Sequence, residues 1–343
     1  MSLADAMAGV MWLGVTFYAL FGGADFGAGF WDLVAGGAAR GRRRRELIEH
    51  SIGPVWEANH VWLIFVLVIM WTCFPPLFGD VASTLYIPLS AAAFGVIARG
   101  SAFAFRKTVT AVWQQRLFGA GFAISSVVTP FFLGAAAGAV ASGHVPPRIG
   151  GGPPIASWWN PVSVMTGALA VATCAYLAAV YLAGDARRSG DPDLAAGFRN
   201  RALGAGVAAG LIAAAGLAFL HHDASPLFHG LTHRGLPLVA ASAAAGIASL
   251  ALLYRRWVIA ARITAALAVS AVLWAWALAQ YPHLLEPSLT IKAAAATHEV
   301  LVATAISMAV GAVILIPSLA WLYTLFQRAP ARAEEEVPSS PAG

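Results

Sequence analysis

Charge is scarce in this chain. Only 11% of its 343 residues are Asp, Glu, Lys or Arg, while 59% are hydrophobic. A soluble domain carries about 25% charged residues. A chain this long with so little charge cannot wrap one soluble core in a polar surface, so lipid must solvate most of its exterior. Cysteine is scarcer still. Cys73 and Cys174 sit singly inside apolar runs, without the spacing of a metal or redox pair, and their expected role is packing. The chain also lacks an aromatic-basic face or any known nucleic-acid fold signature. Its net charge of +5 and pI near 9.6 therefore do not point to nucleic acid. No cleavable leader is expected, because no basic segment precedes the first apolar run, which continues directly into a Gly/Asp stretch.

What the chain has in abundance is apolar length, with a mean hydropathy of +0.73. Runs of about 20 residues predict an all-α, polytopic membrane protein of nine spans, near 7–37, 53–77, 81–104, 116–141, 160–184, 200–220, 236–255, 259–281 and 298–326. The first is long enough to tilt or break, and Gly22-Gly23 or Gly27/Gly29 are the expected places. Spans 1–4 and 5–8 read as two four-helix bundles (repeats 1–142 and 158–282), with the last helix, 298–326, peripheral. Only the span arithmetic supports that duplication. The transmembrane domain then covers 1–327, and 328–343, rich in Glu, Pro, Ser and Ala, reads as a disordered tail.

The basic residues are unevenly placed. Arg40, Arg42, Arg43, Arg44, Arg45, Arg106, Lys107, Arg187, Arg188, Arg199, Arg255, Arg256, Arg328 and Arg332 fall in or beside alternate connections. The opposite face holds Arg148, Arg234 and Lys292. The positive-inside rule places the N-terminus outside and the C-terminus in the cytoplasm. An odd span count agrees.

An ionisable group within the bilayer costs about 2.5–3.5 kcal/mol on insertion scales, so it needs a partner or a function. Asp25 and Asp32 in span 1, Glu57 and His60 in span 2, and Arg99 in span 3 are such groups. On a helix Trp56 and His60, four apart, share a face, and Asn59 lies three from both Trp56 and Trp62. This polar mixture must face protein or water. Arg99 could neutralise Glu57 or Asp25 to hold the bundle together, or the carboxylates could line a hydrated proton path from the cytoplasm; both readings can hold at once. His60 alone would suit an axial haem ligand, but the neighbouring spans offer no second intramembrane His apart from His298 at the far edge of span 9. His221, His222, His229 and His233 crowd one loop and read as interfacial decoration. The Trp residues, Trp158 and Trp159 included, read as an interfacial belt.

Three stretches resemble subunit II of the cytochrome bd oxidase family. They are Gly23-Ala24-Asp25-Phe26-Gly27-Ala28-Gly29; Ser51 to Leu63, with its core Trp56-Glu57-Ala58-Asn59-His60-Val61-Trp62; and Arg99 followed by Phe105-Arg106. The motifs cover the first third of the chain; beyond Arg106 the likeness is one of span count and orientation. The resemblance implies a non-haem subunit of a terminal oxidase that oxidises quinol outside and reduces O2 to water in aerobic respiration, with protons drawn from the cytoplasm. It further implies a partner subunit I carrying haem b and haem d, with room for small accessory membrane subunits. No catalytic residue and no metal ligand are expected in this chain. A structural quinone can occur in family members, without residues assignable here. Asp25, Glu57, Arg99, Trp56, Asn59 and His60 become the expected proton path or buried polar cluster. A proton-coupled secondary transporter would suit intramembrane carboxylates on physics alone, but spans 5–8 carry almost no charge, whereas a transporter usually places charge in both halves. A purely structural scaffold would not explain the polar groups gathered in spans 1–3.

Overall fold

A computed structural model of the chain describes residues 2–52, 56–106, 109 and 111–328; for a few of these, Trp56 and Glu57 among them, only the backbone is described. The tail read as disordered lies outside the described residues from 329 onward, and Arg328 itself ends the last helix.

Span 1 begins at a capping box: Ser2 Oγ accepts from the Asp5 amide, and the Asp5 carboxylate accepts from the Ser2 amide at 2.8 Å. The helix α1 (Leu3–Phe17) passes through a π-helical segment (Tyr18–Gly22) into α2 (Gly23–Leu33). The break expected at the glycines is thus a widened turn ending at Gly22, and the whole forms one 31-residue span.

The Arg-rich stretch expected as a connection folds as α3 (Ala38–Ile52). Span 2 departs further from expectation. It splits into α4 (Trp56–Cys73) and α5 (Pro75–Thr84), bent by 118°. The cause is Pro75-Pro76. Proline lacks the amide an α-helix interior needs but fits the first turn of a new one, so the chain turns at Phe74 (φ −135°, ψ 59°).

The rest follows as α6 (Tyr86–Arg106), α7 (Val112–Ala141), α8 (Pro161–Arg188), α9 (Pro192–Asp223), α10 (Ser225–Thr232), α11 (Leu236–Tyr254) and α12 (Val258–Gln280). A small hairpin, β1 (His283–Leu285) with β2 (Leu289–Thr290), leads through α13 (Ile291–Ala294) to α14 (His298–Arg328). Eight helices are long and apolar enough to cross a membrane, or nine spans with the bent pair counted as one. The chain is a multi-pass membrane protein.

The His-rich stretch expected as a loop is largely helical, and its corner copies the one in span 2. Ala224 turns at φ −143°, ψ 53°, before a short helix with proline in its first turn. Pro76-Leu77-Phe78 matches Pro226-Leu227-Phe228, and Ile87-Pro88-Leu89 matches Leu236-Pro237-Leu238.

Small residues decide where helices meet, since close approach replaces the hydrophobic drive that lipid removes. A Cβ on Gly134 would lie 2.8 Å from the Thr166 carbonyl, and one on Gly138 2.7 Å from the Ser163 backbone, so α7 and α8 pack backbone to backbone. Helix α8 is central, with Leu177, Ala178, Ala179 and Val180 fully buried. Helix α14 lies at the edge, exposing Val313, Ile314, Ile316 and Trp321. Trp158, expected in an interfacial belt, is instead buried, its indole donating to the Pro154 carbonyl; Trp159 is exposed.

A buried charge cluster as candidate functional site

The site is built on α2, α4, α6 and α7. The Gly-x-Asp-x-Gly-x-Gly stretch of α2 is a packing device around one carboxylate. A Cβ on Gly27 would overlap the Cys174 carbonyl of α8, and one on Gly29 would overlap Ser126 Oγ of α7 and crowd the Arg99 guanidinium. The glycines therefore draw α2 against both neighbours, and Asp25 lands in the seam, 3% exposed.

Arg99 reaches it from α6. It is the largest fully buried side chain among the described residues, 1% exposed. One terminal nitrogen donates to Asp25 Oδ1 at 2.7 Å and to the Asp25 carbonyl at 3.0 Å; the other donates to Ser126 Oγ. The guanidinium carbon stands 4.2 Å from the Phe122 ring centroid and 5.2 Å from that of Phe26, so cation–π attraction replaces part of the lost hydration. Ser126 Oγ in turn donates to the Phe122 carbonyl at 2.6 Å. Asp25 Oδ2 and Arg99 Nε are buried without a hydrogen-bond partner among the described residues. The sequence left open whether Arg99 neutralises Glu57 or Asp25; the geometry gives it Asp25.

Nearer the Arg-rich end of the bundle, buried Asp32 is held by Arg45 at 2.9 Å, and Arg45 also donates to the Gly36 carbonyl at 2.6 Å. Asp25 and Asp32 are two turns apart on α2, so the carboxylates step inward from the basic end. Arg43 of α3 meets Asp191, the N-cap of α9, at 2.5 Å. The Asp191 carboxyl is held below the usual carboxylate range, first by the Leu194 amide it accepts and then by Arg43.

The first turns of α4 supply the remaining predicted residues. Asn59 is 4% exposed. The His60 ring packs 5.8 Å from Phe26 and 6.3 Å from Tyr18, which brings it to the cluster. Trp56 and Glu57 lie in the same helix, but their side chains are outside the described residues. His60, which alone would suit an axial haem ligand, has its ring edge-on to that of Phe26 and tilted against that of Tyr18.

Four residues were missed in the sequence. Ser126 and Tyr18 carry no charge near neutral pH, so a search for charged groups within the spans passes over them. Arg262 of α12 was hidden by its nearness to Arg255-Arg256, and its partner Asp185 by a span end set one residue too early. Arg262 donates to Asp185 and to the Tyr181 carbonyl, and Arg188 meets the same carboxylate at 2.5 Å. Spans 5–8 are therefore not as free of charge as expected, although Asp185 stands near the basic end of α8.

A family model described as cytochrome bd terminal oxidase subunit II matches residues 3–326. Cytochrome bd ubiquinol oxidase subunit 2 of Bacillus subtilis (strain 168) is 32% identical over 117 residues, 33% of this chain and 32% of that protein. Cytochrome bd-I ubiquinol oxidase subunit 2 of Escherichia coli (strain K12) is 26% identical over 137 residues, 40% of this chain and 35% of that protein. The matched stretches thus span about a third of the length of these curated relatives. The solved bd oxidase from Geobacillus thermodenitrificans contains a chain of the same fold, with a TM-score of 0.75 at 24% identity, covering 95% of this chain and 99% of that one.

Proposed function

The chain belongs to the cytochrome bd terminal oxidase subunit II family, and on that premise we propose that it serves as the non-haem subunit of a membrane complex that oxidises quinol and reduces O2 to water. Its partner is a subunit I, which supplies haem b and haem d and with them the electron transfer and oxygen chemistry. The complex sits in the bacterial inner membrane, with the N-terminus of this chain outside and the Arg-rich end in the cytoplasm.

The observation that carries this reading is the fully buried Arg99–Asp25 pair set inside the family's glycine motif. Water formation on the membrane interior consumes protons, and drawing them from the cytoplasm builds a proton-motive force without a pump. Asp32 and Glu57 stand at the basic end, where such protons enter. Asp25 is the next carboxylate inward. Arg99 fixes Asp25 in place through Oδ1, which leaves Oδ2 as the oxygen that takes and releases a proton. Asn59 and His60 line the same region from α4.

The test is a reduced-minus-oxidised visible spectrum of the complex drawn from native membranes through a tag on this chain. Bands of b- and d-type haem in a co-purifying partner of related span architecture are expected. An intact, haem-free preparation without that partner would sink the reading and move a proton-coupled transporter to first place.

A further inference from the structure

Tyr18 opens the π-helical segment of span 1, and its side chain is held in an unusual way. Helical side chains ordinarily lean back toward the N-terminus. Here the ring lies over Gly22, where a Cβ would stand 2.8 Å from it. Its centroid is 6.3 Å from that of Phe26 and 6.3 Å from that of His60. The widened turn and the missing Cβ of Gly22 together let the phenol lean toward the Asp25 end of the helix. π-segments of this kind recur at functional sites.

The Tyr18 hydroxyl is buried and bonded to no protein group among the described residues. The His60 ring stands beside the phenol, whose other ring neighbour, Phe26, also carries the Arg99 guanidinium. Asp25 has committed Oδ1 to Arg99, and its Oδ2 is likewise buried without a protein partner. Buried polar atoms are almost always satisfied, by protein or by ordered water. Both groups gather about Phe26, whose ring meets both Tyr18 and the Arg99 guanidinium that binds Asp25, and a hydroxyl with a carboxylate oxygen has the polarity that holds a bridging water.

We propose that Tyr18 is a relay residue of the proton path: its hydroxyl and Asp25 Oδ2 hold ordered water between them and carry the path inward past Asp25. The proposal rests on the reading of Asp25 given above. The hydroxyl takes a proton from water on the Asp25 side as it gives its own to water on the far side. It ends as it began, so atoms and charge balance without any oxidant or reductant. The phenol supplies orientation, and the ring contacts with Phe26 and His60 set its angle.

The test compares Tyr18→Phe with Asp25→Asn in the intact complex, purified through a tag on this chain. Readouts are haem content, oxygen-reduction rate in H2O and D2O, and the infrared difference spectrum on reduction. Tyr18→Phe keeps the ring and is expected to keep full haem content. It should slow turnover several-fold, raise the solvent isotope effect, and shift the carboxyl band that Asp25→Asn abolishes. A slowed Asp25→Asn beside a Tyr18→Phe that moves neither rate nor band overturns the role of Tyr18 alone. An Asp25→Asn complex with normal turnover overturns the path reading and this inference with it. Should Tyr18→Phe assemble poorly, ring-deuterated tyrosine in the otherwise unchanged complex decides: a phenol band that Asp25→Asn moves supports the proposal, and one that it leaves in place overturns it.

Discussion

Arg99 grips Asp25 twice, through carboxylate Oδ1 at 2.7 Å and through the backbone carbonyl at 3.0 Å. The second contact matters as much as the first. It ties the guanidinium to the α2 backbone, so the ion pair fixes where α6 meets α2 whether or not the carboxylate carries a proton.

Arg99→Ala strands a buried carboxylate, a loss of about 3–5 kcal/mol for a pair this deep. It should therefore reduce assembly more than chemistry, measured as the yield and thermal inactivation temperature of tagged complex. Adding Asp25→Asn to Arg99→Gln removes both charges and leaves both groups able to hydrogen-bond. That double variant should recover much of the lost yield while turnover stays low. Recovery of turnover along with yield would reduce the pair to a structural tie.

Gly27 offers a prediction about packing alone. A Cβ there overlaps the Cys174 carbonyl, which belongs to the α8 backbone and cannot swing aside. Gly27→Ala should force α2 off α8 and abolish recoverable complex. Gly9 has nothing within 4 Å of its would-be Cβ, and alanine is preferred to glycine in a helix by about 1 kcal/mol. Gly9→Ala should leave yield and turnover unchanged. Equal behaviour of the two variants would contradict the close approach of α2 and α8.

Arg262 and Asp185 look like a second Arg99 and Asp25, but their surroundings differ. Asp185 is 22% exposed and is shared with Arg188, itself 61% exposed. Partly solvated pairs with a spare cation are worth about 1 kcal/mol or less. Arg262→Ala should lower the thermal inactivation temperature of the complex only slightly and leave its turnover intact, in contrast to Arg99→Ala. A loss of assembly as severe as that of Arg99→Ala would show that this tie is as critical as the buried one.

The span pattern was legible because lipid imposes it: a helix that crosses must be apolar for about 20 residues, and eight of nine predicted spans match one continuous helical segment each, span 1 with its π-helical turn included. Span 2 was misread at Phe74-Pro75-Pro76, where two prolines are too few to lower the mean of a long apolar window. Hydropathy averages over the prolines that bend the chain. Asp25 and Arg99 were legible as charges out of place, but their pairing was not, since two charges on separate spans carry no mark of which neighbour they face. Gly27 and Gly29 carry the reason for the arrangement, and it becomes visible only with Cys174 and Ser126 beside them. Tyr18 was the least legible, because an unpartnered hydroxyl is a property of packing and leaves no trace in composition.

Glu57 is the carboxylate whose role rests on the sequence. It follows the Arg-rich helix α3 and lies three residues before His60, whose ring packs on Phe26 beside Asp25. A carboxylate at that place would gather protons at the basic end and pass them inward. Glu57→Ala removes the acid without disturbing the apolar remainder of α4, so membrane insertion and haem content should be unchanged. Oxygen reduction by the purified complex should fall several-fold. Glu57→Asp, which keeps the acid on a shorter stem, should restore part of the rate, as expected of a proton carrier and not of a packing residue. Normal turnover of Glu57→Ala at full haem content would remove Glu57 from the path and leave Asp32 as the carboxylate at its mouth.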